Sequence, residues 1–285
     1  MTEFADPRGL LDKYGLRAKK SWGQNFLIST RVYDGIVRTT VRAADDFVVE
    51  IGGGLGTLTA RLAEAAATGT VVVVERERDM IDVLRGELGG VANVRILEQN
   101  ALELHYEALA KEAGKPLVVV GNLPYQIASR LIFNMIDVRT HCARMVIMLQ
   151  KEMADCVVAA PDTDAYGGLG VMVQTYCDVR QVIKAPSAAF YPAPRVDSAV
   201  VELTPLPGGR TRAPITDEKQ YSALVHAAFG QRRKTLRNAM RSRWDDDAIA
   251  TGLTGAEIDG MRRGETLSVA EFARLSNALP AARPT

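Results

Sequence analysis

The 285-residue sequence predicts an α/β fold in two parts: an open, doubly wound, mixed seven-stranded sheet with helices on both faces, then a small all-α domain. Two observations predict it. Short apolar runs with strand character alternate with stretches whose apolar residues recur at helical spacing, the pattern of strands joined by crossover helices. Beyond a break rich in Pro, Gly and Arg, strand character disappears and only helical spacing remains.

DFVVEI (46–51) and TVVVVE (70–75) read as the first two strands, followed by NVRILE (93–98), PLVVVG (116–121) and RMVIML (144–149). Helical patterns lie between them, as at Leu58, Leu62 and Ala65. VRQVIKA (179–185) and VDSAVVELT (196–204), joined by a Pro-rich loop, complete seven strands as an antiparallel hairpin at one edge. PLPGGRTRAP (205–214) reads as a linker, and Tyr221, Leu224, Val225 and Ala228 then open a helical region that runs to Leu279. The expected organisation is a segment 1–28 bordering a ligand site, a sheet domain 29–205, a linker 206–214 and a helical domain 215–285.

Hydrophobic residues make up 47% and charged residues 24%, ordinary for a globular protein with a core. The net charge of +1 does not by itself mark a nucleic-acid binder, so the distribution of charge decides. Cys142, Cys156 and Cys177 are odd in number and widely spaced, and His105, His141 and His226 are scattered, so neither a disulfide framework nor a metal site is expected. The amino terminus carries Glu3, Asp6 and Asp12, unlike a signal peptide, and no apolar run reaches about 18 residues. A cytoplasmic, monomeric protein without membrane contact is expected.

The first strand ends in EIGGGLGTLT (50–59), where Gly52, Gly54 and Gly56 form a turn that opens a helix. Such a turn lets a ligand approach the backbone closely. Glu75, at the end of the second strand, stands where a carboxylate accepts from ribose hydroxyls. A dinucleotide fingerprint needs glycine at Thr57, which argues against a nicotinamide cofactor. S-adenosylmethionine has a ribose and no pyrophosphate, and it suits the turn. Asn100 in LEQNAL (97–102) could hold an adenine edge through its amide, or could simply be a turn residue.

The fourth strand runs into Gly121-Asn122-Leu123-Pro124-Tyr125. In a doubly wound sheet this end borders the ligand crevice. Asn122 supplies an amide oxygen, Pro124 fixes the chain and leaves nearby carbonyls free to accept, and Tyr125 offers a face for a base. Together they suit an exocyclic amine on a planar ring. Acceptors on its N–H bonds would aim the lone pair at an electrophile such as a sulfonium methyl, so catalysis would be mostly positioning.

KKSWGQNFL (19–27), EIGGGLGTLT, GNLPY, FYPAPRVDSAVV (190–201) and FGQRRKTLRNAM (229–240) together resemble the ribosomal small-subunit RNA adenine dimethyltransferase family, in order and over nearly the whole chain. The resemblance implies a class I S-adenosylmethionine-dependent methyltransferase fold, Rossmann-like, with a small C-terminal helical domain. It also implies conversion of two adjacent adenosines near the 3′ end of small-subunit ribosomal RNA to N6,N6-dimethyladenosine, during assembly of the subunit. By motif, Asn25 and Leu27 would border the cofactor, Gly52 and Gly54 would lie under it, Glu75 would take its ribose and Asn100 its adenine. Asn122 would stand between cofactor and target base, Tyr125 would stack on that base and Phe190 would cover its other face. Asn100 replaces the family's usual Asp, Trp22 a usual Leu or Phe, and Gly53 a usual Pro, and Ala128 and Arg130 depart from an Ile-Ser-Thr-Pro run. Macrolide-resistance methyltransferases of large-subunit RNA share two of these signatures, and a non-catalytic assembly or transcription factor is a third reading.

FGQRRKTLRNAMRSR (229–243) carries Arg232, Arg233, Lys234, Arg237 and Arg241 and no acid. At helical spacing Arg233, Arg237 and Arg241 share one face, the footprint of phosphate binding. Lys19 and Lys20 extend a second basic patch towards the cofactor mouth. Asp197 and Ser198 read as structural, and Arg195 as exposed or phosphate-facing.

Overall fold

A computed structural model describes residues 5–19, 24–124, 126–231 and 233–283. The elements in chain order are α1 (Pro7–Lys13), β1 (Phe26–Leu27), α2 (Thr30–Thr40), β2 (Phe47–Ile51), α3 (Thr57–Ala65), β3 (Thr70–Glu75), α4 (Arg78–Leu88), β4 (Val94–Glu98), α5 (Tyr106–Ala113), β5 (Leu117–Asn122), α6 (Ala128–Asp137) and β6 (Cys142–Gln150). They continue as α7 (Lys151–Val158), α8 (Gly168–Tyr176), β7 (Cys177–Ala185), β8 (Phe190–Tyr191), β9 (Ser198–Pro205), α9 (Glu218–Gly230), α10 (Leu236–Met240), α11 (Asp246–Gly255) and α12 (Val269–Ala278). The chain clusters into two compact units, Met1–Ala154 with Arg180–Pro205, and Asp155–Val179 with Leu206–Thr285. No described helix is long and apolar enough to cross a membrane.

The first unit holds the seven-stranded sheet, in the order β4-β3-β2-β5-β6-β9-β7. β2 pairs in parallel with β3 on one side and β5 on the other, so the strand order reverses at β2. This reversal fixes where a ligand can sit, because the loops leaving β2 and β5 run to opposite faces and open a crevice between them. β2 is buried along its whole length, and β3 and β5 nearly so, which is why both read as near-continuous Val-rich runs rather than alternating ones. β9 runs antiparallel to β6, with Met145 opposite Leu203, and β7 takes the edge beyond it. On one face Val32, Ile36, Leu58 and Leu62 of α2 and α3 pack with Val48, Val118 and Val146 of the sheet.

The second unit is helical. α9 buries Tyr221, Leu224 and Val225, and the Tyr221 hydroxyl meets Thr175 Oγ1 of α8 at 2.7 Å. α12 starts with a reciprocal cap: Ser268 Oγ accepts from the Glu271 N–H, while the Glu271 carboxylate accepts from the Ser268 N–H. The basic run is not one helix. α9 ends at Gly230 and α10 begins at Leu236, so Arg233 and Lys234 stand in the connecting turn and Arg241 caps the end of α10. The first amides of α10 are taken sideways: Leu236 N–H donates to the Arg262 carbonyl at 2.7 Å and Arg237 N–H to Gly260 at 3.1 Å. Spacing by four therefore overstates the helix, since donors that begin a helix here are already satisfied by another loop.

Candidate active site and nucleic-acid interface

A cavity of about 370 Å³ opens at the carboxyl ends of β2, β3 and β5. Asn25, Leu27, Gly52, Gly54, Glu75, Asn100 and Asn122 all line it, so the sheet reversal gathers residues from five separate stretches of chain. The glycine turn makes the opening possible. Gly52 and Gly54 have φ of +77° and +52°, a left-handed conformation that costs a side-chain-bearing residue dearly, and their bare Cα atoms leave the cavity wall free. The turn is tied to the second strand: Gly54 N–H donates to Glu75 Oε2 at 3.1 Å, and Arg76 and Glu77 N–H donate to Oε1 at 2.8 and 2.9 Å. Three of the roughly four lone-pair sites of the Glu75 carboxylate are thus taken by main chain, and one remains on Oε2.

Two buried polar residues of the cavity wall were not singled out by sequence. Glu50, on β2, is 1% exposed, and its Oε2 has no hydrogen-bond partner. Burial pushes its carboxyl up to about 8, Thr59 opposes the rise and the Glu75 carboxylate adds to it. An acid two positions before the glycine turn was a legible signal, masked by its place inside an apolar strand. Tyr33 of α2, also buried, donates its hydroxyl to the Leu27 carbonyl at 2.6 Å and meets Thr57 Oγ1 at 2.5 Å. It therefore joins β1 to the first residue of α3 across the cavity.

Asn122 ends β5 with its side chain in the cavity wall, and Nδ2 reaches the Asn25 carbonyl at 3.5 Å, a long contact. Of the carbonyls in this turn, that of Pro124 already accepts from Ile127 N–H at 3.1 Å. Asn100 lines the cavity and also does turn work: its Oδ1 accepts from Leu102 N–H at 3.2 Å and its Nδ2 donates to Glu103 Oε1 at 3.0 Å. Tyr125 lies outside the described residues. Phe190 does not line the cavity. β1 and β8 pair antiparallel with Leu27 opposite Phe190, and both side chains turn into the core, where Phe190 is 3% exposed. The Asp197 carboxylate accepts from Ser187 N–H at 2.8 Å and Ser198 is buried, both structural placements.

The family model of ribosomal RNA adenine dimethylase matches residues 15–280. The chain belongs to this family. A protein from Anaeromyxobacter sp. (strain K) named ribosomal RNA small subunit methyltransferase A is 43% identical over 97% of this chain and 98% of its own. Two solved structures share the class I methyltransferase fold at 23% identity. One is a dimethyladenosine transferase from Plasmodium falciparum (TM-score 0.69, 88% of this chain and 95% of that chain). The other is the 23S rRNA methyltransferase ErmE (TM-score 0.66, 90% of this chain and 99% of that chain).

Among dimethylase motifs, the glycine turn is the one whose departure the structure explains. A Cβ at Gly53 would lie 2.2 Å from Val73 Cγ2 and 3.1 Å from Leu84 Cδ1, so β3 and α4 have filled the space that a larger residue would need. Trp22 and Lys20 lie outside the described residues. Lys19 is held by carboxylates: its Nζ lies 2.6 Å from Glu77 and 2.7 Å from Asp79, and those hydrogen bonds, Asp79 first, raise its pKa. Gln24 Nε2 joins the same Glu77 at 2.5 Å. In the second unit Arg233, Lys234 and Arg241 line a shallow concavity with Asn238 and Thr235, and Arg237 is not on that wall. Arg241 Nε donates to Asp246 at 2.8 Å, so one acid of the following Asp-rich run returns to the basic patch. Arg232 lies outside the described residues.

Proposed function

We propose that this chain uses S-adenosylmethionine to convert two adjacent adenosines near the 3′ end of small-subunit ribosomal RNA to N6,N6-dimethyladenosine, acting as a cytoplasmic monomer on the assembling subunit. The observation that carries the reading is the convergence of the glycine turn, Glu75 and Asn122 on one cavity at the sheet reversal. The donor set fits the cofactor: the carboxylates of Glu75 and Glu50, the latter with an orphaned oxygen, suit a ligand that carries both a ribose and positive charge. Glu75 accepts from a ribose hydroxyl through the open lone pair of Oε2. Gly52 and Gly54 admit the methionine portion, Asn25 and Leu27 border it, and Asn100 meets the adenine through the second lone pair of Oδ1.

When bound, S-adenosylmethionine supplies a methyl carbon already activated by its sulfonium. The chain's part is to place an amine. Asn122 accepts an N6 hydrogen through Oδ1, which favours a pyramidal nitrogen with its lone pair directed into the cavity. Tyr125 stacks on the target base, and Phe190 supports the ribbon beneath the site. Arg232, Arg233, Lys234, Arg237 and Arg241 of the helical domain bind ribosomal RNA phosphates, together with Lys20. Lys19 contributes less to this field, because two carboxylates already match its charge.

The small-subunit target is favoured by the name of the 43%-identical relative, since the fold is shared about equally with a large-subunit enzyme. Purified protein and labelled S-adenosylmethionine, given small and large subunits from an unmethylated strain, should place label on two adjacent adenosines of the small-subunit RNA, mapped by primer extension on both ribosomal RNAs. Label confined to large-subunit RNA, or none at all, overturns the reading.

A further inference from the structure

Tyr191 stands out because it is an aromatic ring left in the open beside the cavity. It is 42% exposed, and Val196, in the same loop, is 39% exposed. The β1–β8 ribbon sets its direction. Paired residues of an antiparallel ribbon project to the same face, and neighbours along a strand to opposite faces. Leu27 and Phe190 are a pair and both are buried. Phe26 and Tyr191 are the other pair and take the other face, and Phe26 lines the cavity. Leu27 lines the cavity as well, so the ribbon is part of the cavity wall, and Tyr191, paired with Phe26, lies at its edge.

A cation is mounted over this ring. The Arg8 guanidinium carbon lies 5.0 Å from the Tyr191 ring centroid. Arg8 belongs to α1, which is anchored rather than loose. Asp6 caps the helix through Arg8 N–H at 3.4 Å, and Leu10 and Leu11 pack with Leu55, Met80 and Val83. Leu55 and Met80 are themselves cavity-lining, so α1 is fixed to the same wall. A ring and a guanidinium held together at the edge of a ligand cavity match what an unstacked nucleotide offers, a flat apolar base next to an anionic phosphate.

We propose that Tyr191 and Arg8 form a second nucleotide seat at the cavity rim, which takes the base next to the target adenosine on the tyrosine ring and its phosphate on the guanidinium. The seat rests on the proposed RNA methyltransferase reading and adds a site outside the cavity. It holds the neighbouring nucleotide while its partner is in the cavity, so two adjacent bases are held by two separate aromatic contacts. No bond is made or broken at this seat.

The test uses the full chain and a single-stranded RNA decamer containing two adjacent adenosines, with 2-aminopurine at either neighbour of the methylated position. Wild-type protein should quench the probe at one neighbour. Tyr191→Ala should abolish that quenching and weaken RNA binding roughly tenfold, with the affinity for S-adenosylhomocysteine unchanged. Tyr191→Phe, which keeps the ring, should retain both. Arg8→Ala should weaken binding and lower the salt slope by about 0.7 while leaving the fold intact, since Arg8 is exposed. Equal quenching by wild type and Tyr191→Ala, or no quenching by a wild type that methylates subunits, overturns the seat alone. A wild type that methylates neither ribosomal RNA overturns the function and the seat with it.

Discussion

Glu50→Gln should make the protein more stable at neutral pH and a poorer binder of a positively charged cofactor. The substitution keeps the size of the side chain and removes its charge. Glu50 is the reverse of the usual acid, because its folded pKa lies above its unfolded one, about 8 against 4.5. The folded state then holds more protons than the unfolded state between those values, so stability is greatest below about 4.5 and falls as pH rises towards 8. At about 1.4 kcal/mol per unit, the loss reaches roughly 3 kcal/mol at pH 7 and roughly 5 kcal/mol above pH 8. Glutamine has no such slope. The gain of the variant over wild type should therefore grow from pH 5 to pH 8.5, measured by urea unfolding of both proteins at several pH values. Calorimetry should show the opposite for S-adenosylmethionine: wild-type affinity rises with pH as Glu50 ionises, while the variant binds more weakly and with a flatter profile. A stability difference that does not change with pH would refute the assignment of a proton to buried Glu50.

Gly53→Ala should cost about 1–3 kcal/mol through the overlap with Val73 Cγ2, and the loss should shrink when Val73→Ala is added, a coupling read from thermal melts of the double-mutant cycle. Phe190→Ala should cost about 3–5 kcal/mol as a large-to-small core change; an unchanged melting temperature would contradict its burial beneath the β1–β8 ribbon. Arg233→Ala combined with Lys234→Ala should weaken RNA binding and reduce the salt slope by about 1.4, two phosphate contacts on single-stranded RNA, while the affinity for S-adenosylhomocysteine stays at the wild-type value.

Much of the sheet domain was legible because its strands are buried on both faces and its cavity sits at a fixed topological position. Val71 to Val74 allow no reading but a strand, and the glycine turn with Glu75 marks two strand ends that the sheet then sets side by side. What local spacing misses is set by distant chain. Arg233 and Arg241 looked like one helical face, yet the chain leaves the helix after Gly230 and starts a new one at Leu236, whose first amides donate to the carbonyls of Arg262 and Gly260. Phe190 looked like a lid for a base, yet the two-residue pairing with β1 turns it inward and turns Tyr191 out. Lys19 looked like a free cation for RNA, yet Glu77 and Asp79, about sixty residues away, meet it. In each case the sequence shows the residue type, and only the fold shows its partner.

Glu75 and Glu50 both line the cavity in very different surroundings, and the difference divides their work. Glu75 sits at a strand end among three main-chain amides, which hold its carboxylate in place. Glu50 has no partner for Oε2 and sits inside the strand, so its charge is costly until a cation arrives to match it. The first is a preformed hydrogen-bond acceptor. The second stores a penalty that a positively charged ligand relieves and a neutral one does not. A cavity built this way should favour the sulfonium form of its cofactor over the neutral thioether left after methyl transfer, by a factor that falls when Glu50 is replaced by glutamine. Measuring the ratio of the two dissociation constants at pH 8.5 in both proteins decides it: an equal ratio in wild type and variant would show that the orphaned oxygen contributes nothing to releasing the product.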